Sequence, residues 1–208
     1  MKILIVDDHP IVRRGISESL EERFPGVKLG KSGSTPEARK MLGEESWDLV
    51  LLDISLRESS SLDFLKEIVS SYPETRVLVL SVHSVEQYGV RALKAGAFGY
   101  LNKDCEEEEL SRAVSQCLAG NRYISHELAE ALTEQVLGPQ IPNLHAGLSD
   151  REFHVMKMLA EGRTVGVIAS DLNLSPKTIS TYRVRLMKKM GFSNDADLIR
   201  YALEHDLV

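Results

Sequence analysis

The sequence predicts an α/β domain built on a doubly wound sheet of five parallel strands, followed by an all-α domain of four helices. Three observations carry that prediction. Over residues 1–125, short apolar runs alternate with stretches whose apolar residues recur at helical spacing. From Leu148 onward the spacing is helical throughout. Between the two regions lies GPQIPNLHAG, whose Gly, Pro and Asn oppose regular structure.

The strand runs are KILIVDD at 2–8, a weaker VKLGKSG at 27–33, DLVLLDI at 48–54, RVLVLSV at 76–82 and AFGYLNK at 97–103. Each is short, apolar and bounded by polar residues, as strands buried on both faces are. Residues 10–24, 35–45, 62–72, 86–96 and 106–120 carry the helical pattern between and after them. Strand and helix therefore alternate, which implies a parallel sheet covered on both faces. Residues 125–137 can continue as helix into the Gly/Pro segment, so the expected domains are 1–122 and 148–208, joined by a partly helical linker at 123–147. In the second domain Ser149 and Glu152 have capping-box spacing, and Gly162 fits the stop of the first helix. A second helix is expected over 165–172 and a turn at Asn173 and Leu174. Ser175 and Pro176 then supply the cap and first turn of a third helix, Gly191 ends it, and 195–204 form a fourth.

An apolar fraction of 43% with 27% charged residues is that of a folded globular chain rather than a disordered one. The opening MKILIVDDHP holds a five-residue apolar run before two acids, too short for a signal peptide or a membrane span of about 20 residues, so a cytoplasmic protein is expected. Cys105 and Cys117 fall in one expected helix about 18 Å apart, beyond disulfide reach. The net charge of −6 divides unevenly: −4 over 1–125, −3 over 126–147 and +1 over 148–208. Lys177, Arg183, Arg185, Lys188 and Lys189 lie in a stretch with no acid from Leu172 to Asn194. An acidic chain thus carries a local basic stripe.

In open α/β sheets the ligand sits beyond the carboxyl ends of the strands, at the topological switch point. Asp7 and Asp8 end the first expected strand, Asp53 the third and Ser81 the fourth, while Lys103 follows the last. One Asp at a strand end is ordinarily a helix cap or a solvated turn residue. Three that converge repel one another unless a cation lies between them, and magnesium suits such a site because it takes oxygen ligands and binds a few carboxylates together with a phosphate. His9 and His83 read as loop residues beside that site, and Glu106–Glu109 as a helix start.

Asp-Asp-His at 7–9, Asp53 in LVLLDI, Ser81 in VLVLSV and Lys103 in GYLNKD together resemble the receiver domain of two-component response regulators, over residues 1–122. The resemblance implies a flavodoxin-like sheet, Asp53 as phosphoacceptor, and Mg2+ held by Asp8 and Asp53 directly, by Asp7 through water and by the backbone carbonyl of Ser55. It further implies that Lys103 and the Ser81 hydroxyl support the phosphoryl group, and that Tyr100 reorients as the Ser81 hydroxyl moves. A carboxylate nucleophile gives a labile acyl phosphate, which suits a signal that resets itself. The loop after Asp53 departs from the family pattern, with Arg57 and Ser60-Ser61 where a Pro and an Asp-Gly usually stand.

On a wheel of the third helix of the second domain, Ile179, Tyr182, Leu186 and Met190 share one face. Lys177, Thr181, Val184 and Lys188 lie opposite, flanked by Ser180 and Arg185, with Arg183 and Lys189 at the border. Small, hydroxyl and basic residues on an exposed face suit the DNA major groove, with Arg183 and Lys189 expected toward the groove walls as phosphate contacts. LSDREFHVMKMLAEG, IASDLNLSPKTISTYRVRLMKKMG and DLIRYALEHDLV closely resemble the LuxR-type helix-turn-helix domain over 148–208, and the whole layout resembles the NarL/FixJ regulators. Val165-Gly166-Val167 stand where that family usually has polar residues. The resemblance implies a regulator rather than an enzyme, phosphorylated by a sensor histidine kinase and binding promoter DNA as a homodimer, and leaves RNA polymerase open as a further partner. A haloacid-dehalogenase-like phosphatase would also use Asp, magnesium and lysine but needs a second Asp where Ser55 stands. A phosphorylation-independent regulator is the other alternative.

Overall fold

The computed structural model describes all residues except 57–60, 84, 138–143 and 206, so Arg57 and Ser60 of the unusual loop lie outside the described residues. The chain divides into two compact units, Met1–Gly138 and Pro139–Val208.

In the first unit, strands β1 (Lys2–Val6), β2 (Lys28–Ser32), β3 (Leu49–Asp53), β4 (Arg76–Ser81) and β5 (Gly99–Asn102) alternate with helices α1 (Pro10–Arg23), α2 (Thr35–Glu44), α3 (Ser61–Ser71), α4 (Val85–Lys94) and α5 (Glu107–Leu118). All strand pairs are parallel, in the order β2-β1-β3-β4-β5. The chain winds outward from β1 to β2 and then crosses back to β3, so the switch point opens between the carboxyl ends of β1 and β3.

Successive strand residues point to opposite faces, and both faces are covered. Ile3, Ile5, Leu49, Leu51, Leu78, Leu80 and Leu101 pack with Leu20 of α1 and with Leu110, Ala113, Val114 and Cys117 of α5. The alternate residues Leu4, Val6, Val50, Leu52, Val77, Val79 and Tyr100 are also buried, on the side of α2, α3 and α4. This is why the strands read as continuous apolar runs rather than as an alternation.

Helix α5 begins at Glu107, so Cys105 lies before it and not in the same helix as Cys117. The backbone turns first: Asn102 accepts the Asp104 amide on its side chain at 2.9 Å and the Cys105 amide on its carbonyl at 3.2 Å. Both thiols are free, and burial pushes each up to about 11. Glu109 does more than start the helix, since it accepts the Tyr123 hydroxyl at 2.6 Å.

Helix α6 (His126–Leu137) falls within the stretch expected as linker and packs on α4. The contact needs Gly89, because a Cβ there would lie 2.9 Å from Leu128 Cδ1 and 3.7 Å from Tyr100 Cγ. Leu128 is wholly buried by it. Among the described residues no helix is long and apolar enough to cross a membrane.

The second unit holds a short 3-10 turn at Leu144–Gly147, then α7 (Asp150–Ala160), α8 (Val165–Asp171), α9 (Pro176–Met190) and α10 (Asp195–Glu204). The capping box forms: Ser149 accepts the Glu152 amide, and Glu152 accepts the Ser149 amide at 2.8 Å. Asn173 takes a left-handed φ of 51° in the turn between α8 and α9, a conformation Asn tolerates, and Gly191 caps α9 with φ 72°. Phe153 and Met156 of α7, Ile168 of α8, Ile179 and Leu186 of α9 and Leu198 of α10 form its core.

His154 on α7 has a depressed affinity for protons: burial pushes it down to about 4 from 6.5, aided by the positive Arg151, Lys157 and Arg163. The folded chain then binds this proton less readily than the unfolded chain, so the stability of the second unit is fully present above pH 6.5 and declines as pH falls toward 4. At ~1.4 kcal/mol per unit of pH between 6.5 and about 4, the loss is on the order of 3 kcal/mol. Urea unfolding of wild type and His154→Gln between pH 7 and 4 measures it; the substitution should flatten the wild-type dependence by that amount.

Candidate phosphoryl-acceptor site and DNA-binding helix

The end of β1 and the end of β3 bring Asp7, Asp8 and Asp53 together. Their carboxylate oxygens and a nitrogen of His9 all lie within 4.8 Å of one another. Lys103 follows β5 and reaches across the sheet end, with Nζ 2.7 Å from both Asp7 Oδ2 and Asp53 Oδ2. Two backbone bonds aim that residue: its amide donates to the Ser81 carbonyl at 2.8 Å, and β4 and β5 pair Ser81 with Asn102.

Two of the three carboxylates are held by backbone amides. Asp53 Oδ1 accepts the Ser55 amide at 2.8 Å, Asp7 Oδ1 accepts the His9 amide at 2.7 Å, and the Asp7 carbonyl accepts a guanidinium N–H of Arg13. Burial pushes the Asp53 carboxyl upward and the nearby Asp7 adds to it, while the Lys103 ammonium and the Ser55 amide pull it back. Three carboxylates face one ammonium, leaving an excess of two negative charges in a largely buried pocket. That donor set fits a hard divalent cation.

Ser81 is wholly buried at the end of β4, and its Oγ accepts the His83 amide at 3.0 Å. Tyr100 is equally buried, and its hydroxyl donates to the His83 carbonyl at 2.8 Å. The expected pair therefore meets on one residue, His83, whose ring stacks on Tyr88 with centroids 5.0 Å apart. Sequence reading treated His9 and His83 as loop residues and passed over Arg13. The Asp-Asp-His triplet places His9 next to the carboxylates, and its ring is 50% exposed at the pocket mouth.

In the second unit, Ser175 caps α9 by accepting the Thr178 amide at 3.1 Å. Lys177, Ser180, Thr181, Val184, Arg185, Lys188 and Lys189 are exposed on α9, and Arg183 is half-buried. Ser175, Lys177, Thr178, Thr181, Tyr182 and Arg185 line a shallow depression of about 330 Å³. The border residues differ from the rest. Arg183 pairs with Asp195 at 2.7 Å, both partly exposed. Lys189 Nζ lies 2.6 Å from Glu152 Oε2, which is the buried carboxylate of the α7 capping box. Desolvation raises that carboxyl, but the bonds from Lys189 and Ser149 outweigh it and hold it below its usual range. Lys177, Arg185 and Lys188 make no ion pair among the described residues.

A switch-point pocket of carboxylates with one lysine is the chemistry of a phosphate-accepting signalling domain, here coupled to a helical unit that presents a basic helix. Comparison with known proteins agrees for each unit. The response regulator receiver domain family matches residues 3–115, and the bacterial regulatory proteins of the luxR family match 146–202. Response regulator UvrY of Escherichia coli strain K12 is 32% identical over 209 residues, covering 100% of this chain and 95% of that protein. Response regulator GacA of Pseudomonas syringae pv. syringae strain B728a is 34% identical, covering 100% and 98%. Among solved structures, RcsB of Salmonella enterica serovar Typhimurium, bound to promoter rprA in the presence of phosphomimetic BeF3⁻, aligns at a TM-score of 0.69 with 27% identity over 97% of each chain. The chain belongs to the two-component response regulators of the NarL/FixJ family, with a receiver domain and a LuxR-type DNA-binding domain.

The two neighbouring lysines of α9 should separate in experiment. Lys188→Ala should leave stability within about 0.5 kcal/mol and weaken binding to the preferred DNA by ~1–3 kcal/mol. Lys189→Ala should instead destabilise the second unit by ~1–2 kcal/mol, because it removes the partner of a buried acceptor. Urea unfolding and DNA titration on both variants read the two effects.

Proposed function

We propose that this regulator is phosphorylated on Asp53 by a sensor histidine kinase, and that phosphorylation gates dimerisation and promoter binding. The observation that carries the reading is the double ion pair of Lys103 with Asp7 and Asp53 inside a pocket of three carboxylates. Asp7, Asp8 and Asp53, with the Ser55 carbonyl, would hold Mg2+, which supplies charge neutralisation for the incoming phosphoryl group. A carboxylate oxygen of Asp53 attacks phosphorus as the bond to the donor nitrogen breaks, giving an acyl phosphate. Desolvation leaves this carboxylate weakly hydrated, and Lys103 is placed to take a phosphoryl oxygen as a point charge. The Ser81 hydroxyl, which accepts from the His83 amide, retains its proton to donate to another phosphoryl oxygen.

Movement of the Ser81 loop reaches Tyr100 through the His83 carbonyl, and Tyr100 lies beside Gly89 where α6 packs on α4. Two outer helices are thus mechanically connected to the phosphorylation site. Downstream, Lys177, Ser180, Thr181, Val184, Arg185 and Lys188 meet promoter DNA with α9 in the major groove, and Arg183 can exchange its exposed Asp195 partner for a phosphate. Thr181 donates its hydroxyl proton to the Lys177 carbonyl at 2.9 Å, so it offers DNA a methyl group and an acceptor. RNA polymerase would be met at the promoter. At the position two residues beyond Asp53, the phosphatase alternative requires an acid, whereas Ser55 contributes its amide.

With Mg2+ and a small phosphodonor, intact-mass measurement should show one added phosphoryl group in wild type and none in Asp53→Asn; equal labelling of the two would remove Asp53 from the role. Ser81→Ala should still be labelled but should shift less toward dimer. Sedimentation distributions that are identical before and after phosphorylation of wild type would show that the gate is not dimerisation.

A further inference from the structure

The depression on α9 is lined by the hydroxyls of Ser175, Thr178, Thr181 and Tyr182, and the first three are already engaged. Ser175 Oγ and Thr178 Oγ1 bond each other at 2.8 Å, and Thr181 donates to the Lys177 carbonyl at 2.9 Å. Among the described residues the Tyr182 hydroxyl makes no hydrogen bond. The wheel groups Tyr182 with Ile179, Leu186 and Met190, yet those three are buried and Tyr182 is only half-buried. Its polar end is available to a group that approaches from outside.

The charge around that end is positive. Lys177 and Arg185 stand eight residues apart, about 12 Å along the helix axis, with Thr181 and Tyr182 midway between them. Both cations line the same depression, and neither makes an ion pair among the described residues. None of the six lining residues is acidic. A phenol can give its proton to an anionic oxygen there while the two cations offset the charge.

Helical geometry assigns this hollow to one side of the groove. A helix in the major groove, which is about 12 Å wide, turns one stripe to the bases and its two flanks to the phosphate walls. Arg183 borders one flank. On the other the wheel offers Lys189, but its Nζ is held 2.6 Å from the Glu152 carboxylate. Tyr182 precedes Lys189 by seven residues, and at about 100° per residue the two directions differ by only about 20°. The flank that loses Lys189 to the interior therefore keeps Tyr182, with Thr178 and Arg185 beside it.

We propose that Tyr182 is a DNA-positioning residue, whose hydroxyl donates to a backbone phosphodiester seated between Lys177 and Arg185 on the groove wall opposite Arg183. The inference rests on α9 lying in the major groove. The phosphate held there sets the register in which Thr181, Val184 and Lys188 meet the bases.

Tyr182→Phe keeps the ring and removes only the hydroxyl. In the full chain its urea unfolding should match wild type, while binding to a duplex selected by wild type should weaken about tenfold. Lys177→Ala and Arg185→Ala should each lower the salt slope by about one, and Tyr182→Phe should leave it unchanged because no charge is lost. Duplexes carrying a single neutral methylphosphonate, moved along each strand, locate the phosphate. At one position the methylphosphonate and Tyr182→Phe together should cost less than the product of their separate fold-changes. Wild-type affinity in Tyr182→Phe, or fold-changes that multiply independently at every position, overturns the contact while α9 keeps its place in the groove. Unfolding of Tyr182→Phe at lower urea assigns the hydroxyl to the fold and overturns it too. Undiminished binding by Lys177→Ala, Arg185→Ala and Lys188→Ala alike overturns the placement of α9, and Tyr182 with it.

Discussion

The Lys103 ammonium, 2.7 Å from carboxylates that arrive on two different strands, is the contact on which the first unit turns. Asp7 and Asp53 are each almost wholly buried; burial pushes the Asp53 carboxyl upward, the neighbouring Asp7 adds to it, and the Lys103 ammonium pulls it back. The lysine makes their common ionisation tolerable, and it reaches them only because β5 lies at one end of a sheet whose strand ends are level. Register therefore serves charge: Val6 stands opposite Leu52 and Ser81 opposite Asn102, so residues immediately beyond each strand converge. A slip of one residue would turn every one of these side chains to the other face.

The same constraint explains how much of the site could be read from residues alone. Strands buried on both faces announce themselves as apolar runs, and a polar residue at the end of each run marks where it leaves the core. Asp7, Asp8, Asp53, Ser81 and Lys103 were legible for that reason. The left-handed Asn173 and Gly191 and the capping box of Ser149 and Glu152 were legible because local chemistry decides them. What sequence patterning missed depends on tertiary approach. Nothing in the order of residues shows that Lys189, at the border of the α9 wheel, reaches a carboxylate 37 positions earlier in α7. Nor does it show that residues 126–137 pack on α4, since only a Gly at 89 leaves room for Leu128. Helical spacing runs through Cys105 in the sequence, whereas in the fold Asn102 closes a turn there before α5 begins.

Charge is distributed between the units to opposite ends. The receiver gathers negative charge inward, against a lysine, where it can hold a cation and admit a phosphoryl group. The LuxR-type unit pairs part of its positive charge internally, through Lys189 with Glu152 and Arg183 with Asp195, and leaves Lys177, Arg185 and Lys188 outward. An acidic chain can bind a polyanion on such terms because screening limits each charge to a Debye length of about 8 Å at physiological salt. The receiver's surplus acid lowers affinity for DNA only where it comes within that distance.

The relay from Ser81 through His83 to Tyr100 consists of two hydrogen bonds, and its energetics limit what it can do alone. A hydrogen bond within a protein contributes about 0.5–1.5 kcal/mol net. Moving a two-state equilibrium from one part in a hundred to ninety-nine needs about 5.5 kcal/mol. Rearranging two neutral bonds falls short of that. On the proposed reading the remainder comes from charge: the oxygens of a phosphoryl group on Asp53 would compete for Lys103, whose side chain is only 7% exposed, and for the Ser81 hydroxyl at once. Tyr100 and the packing of α6 on α4 would then transmit a displacement that the electrostatics of the pocket had already made favourable. A substitution at Tyr100 should accordingly weaken the coupling between phosphorylation and assembly without abolishing phosphorylation, whereas any change at Lys103 acts on the source.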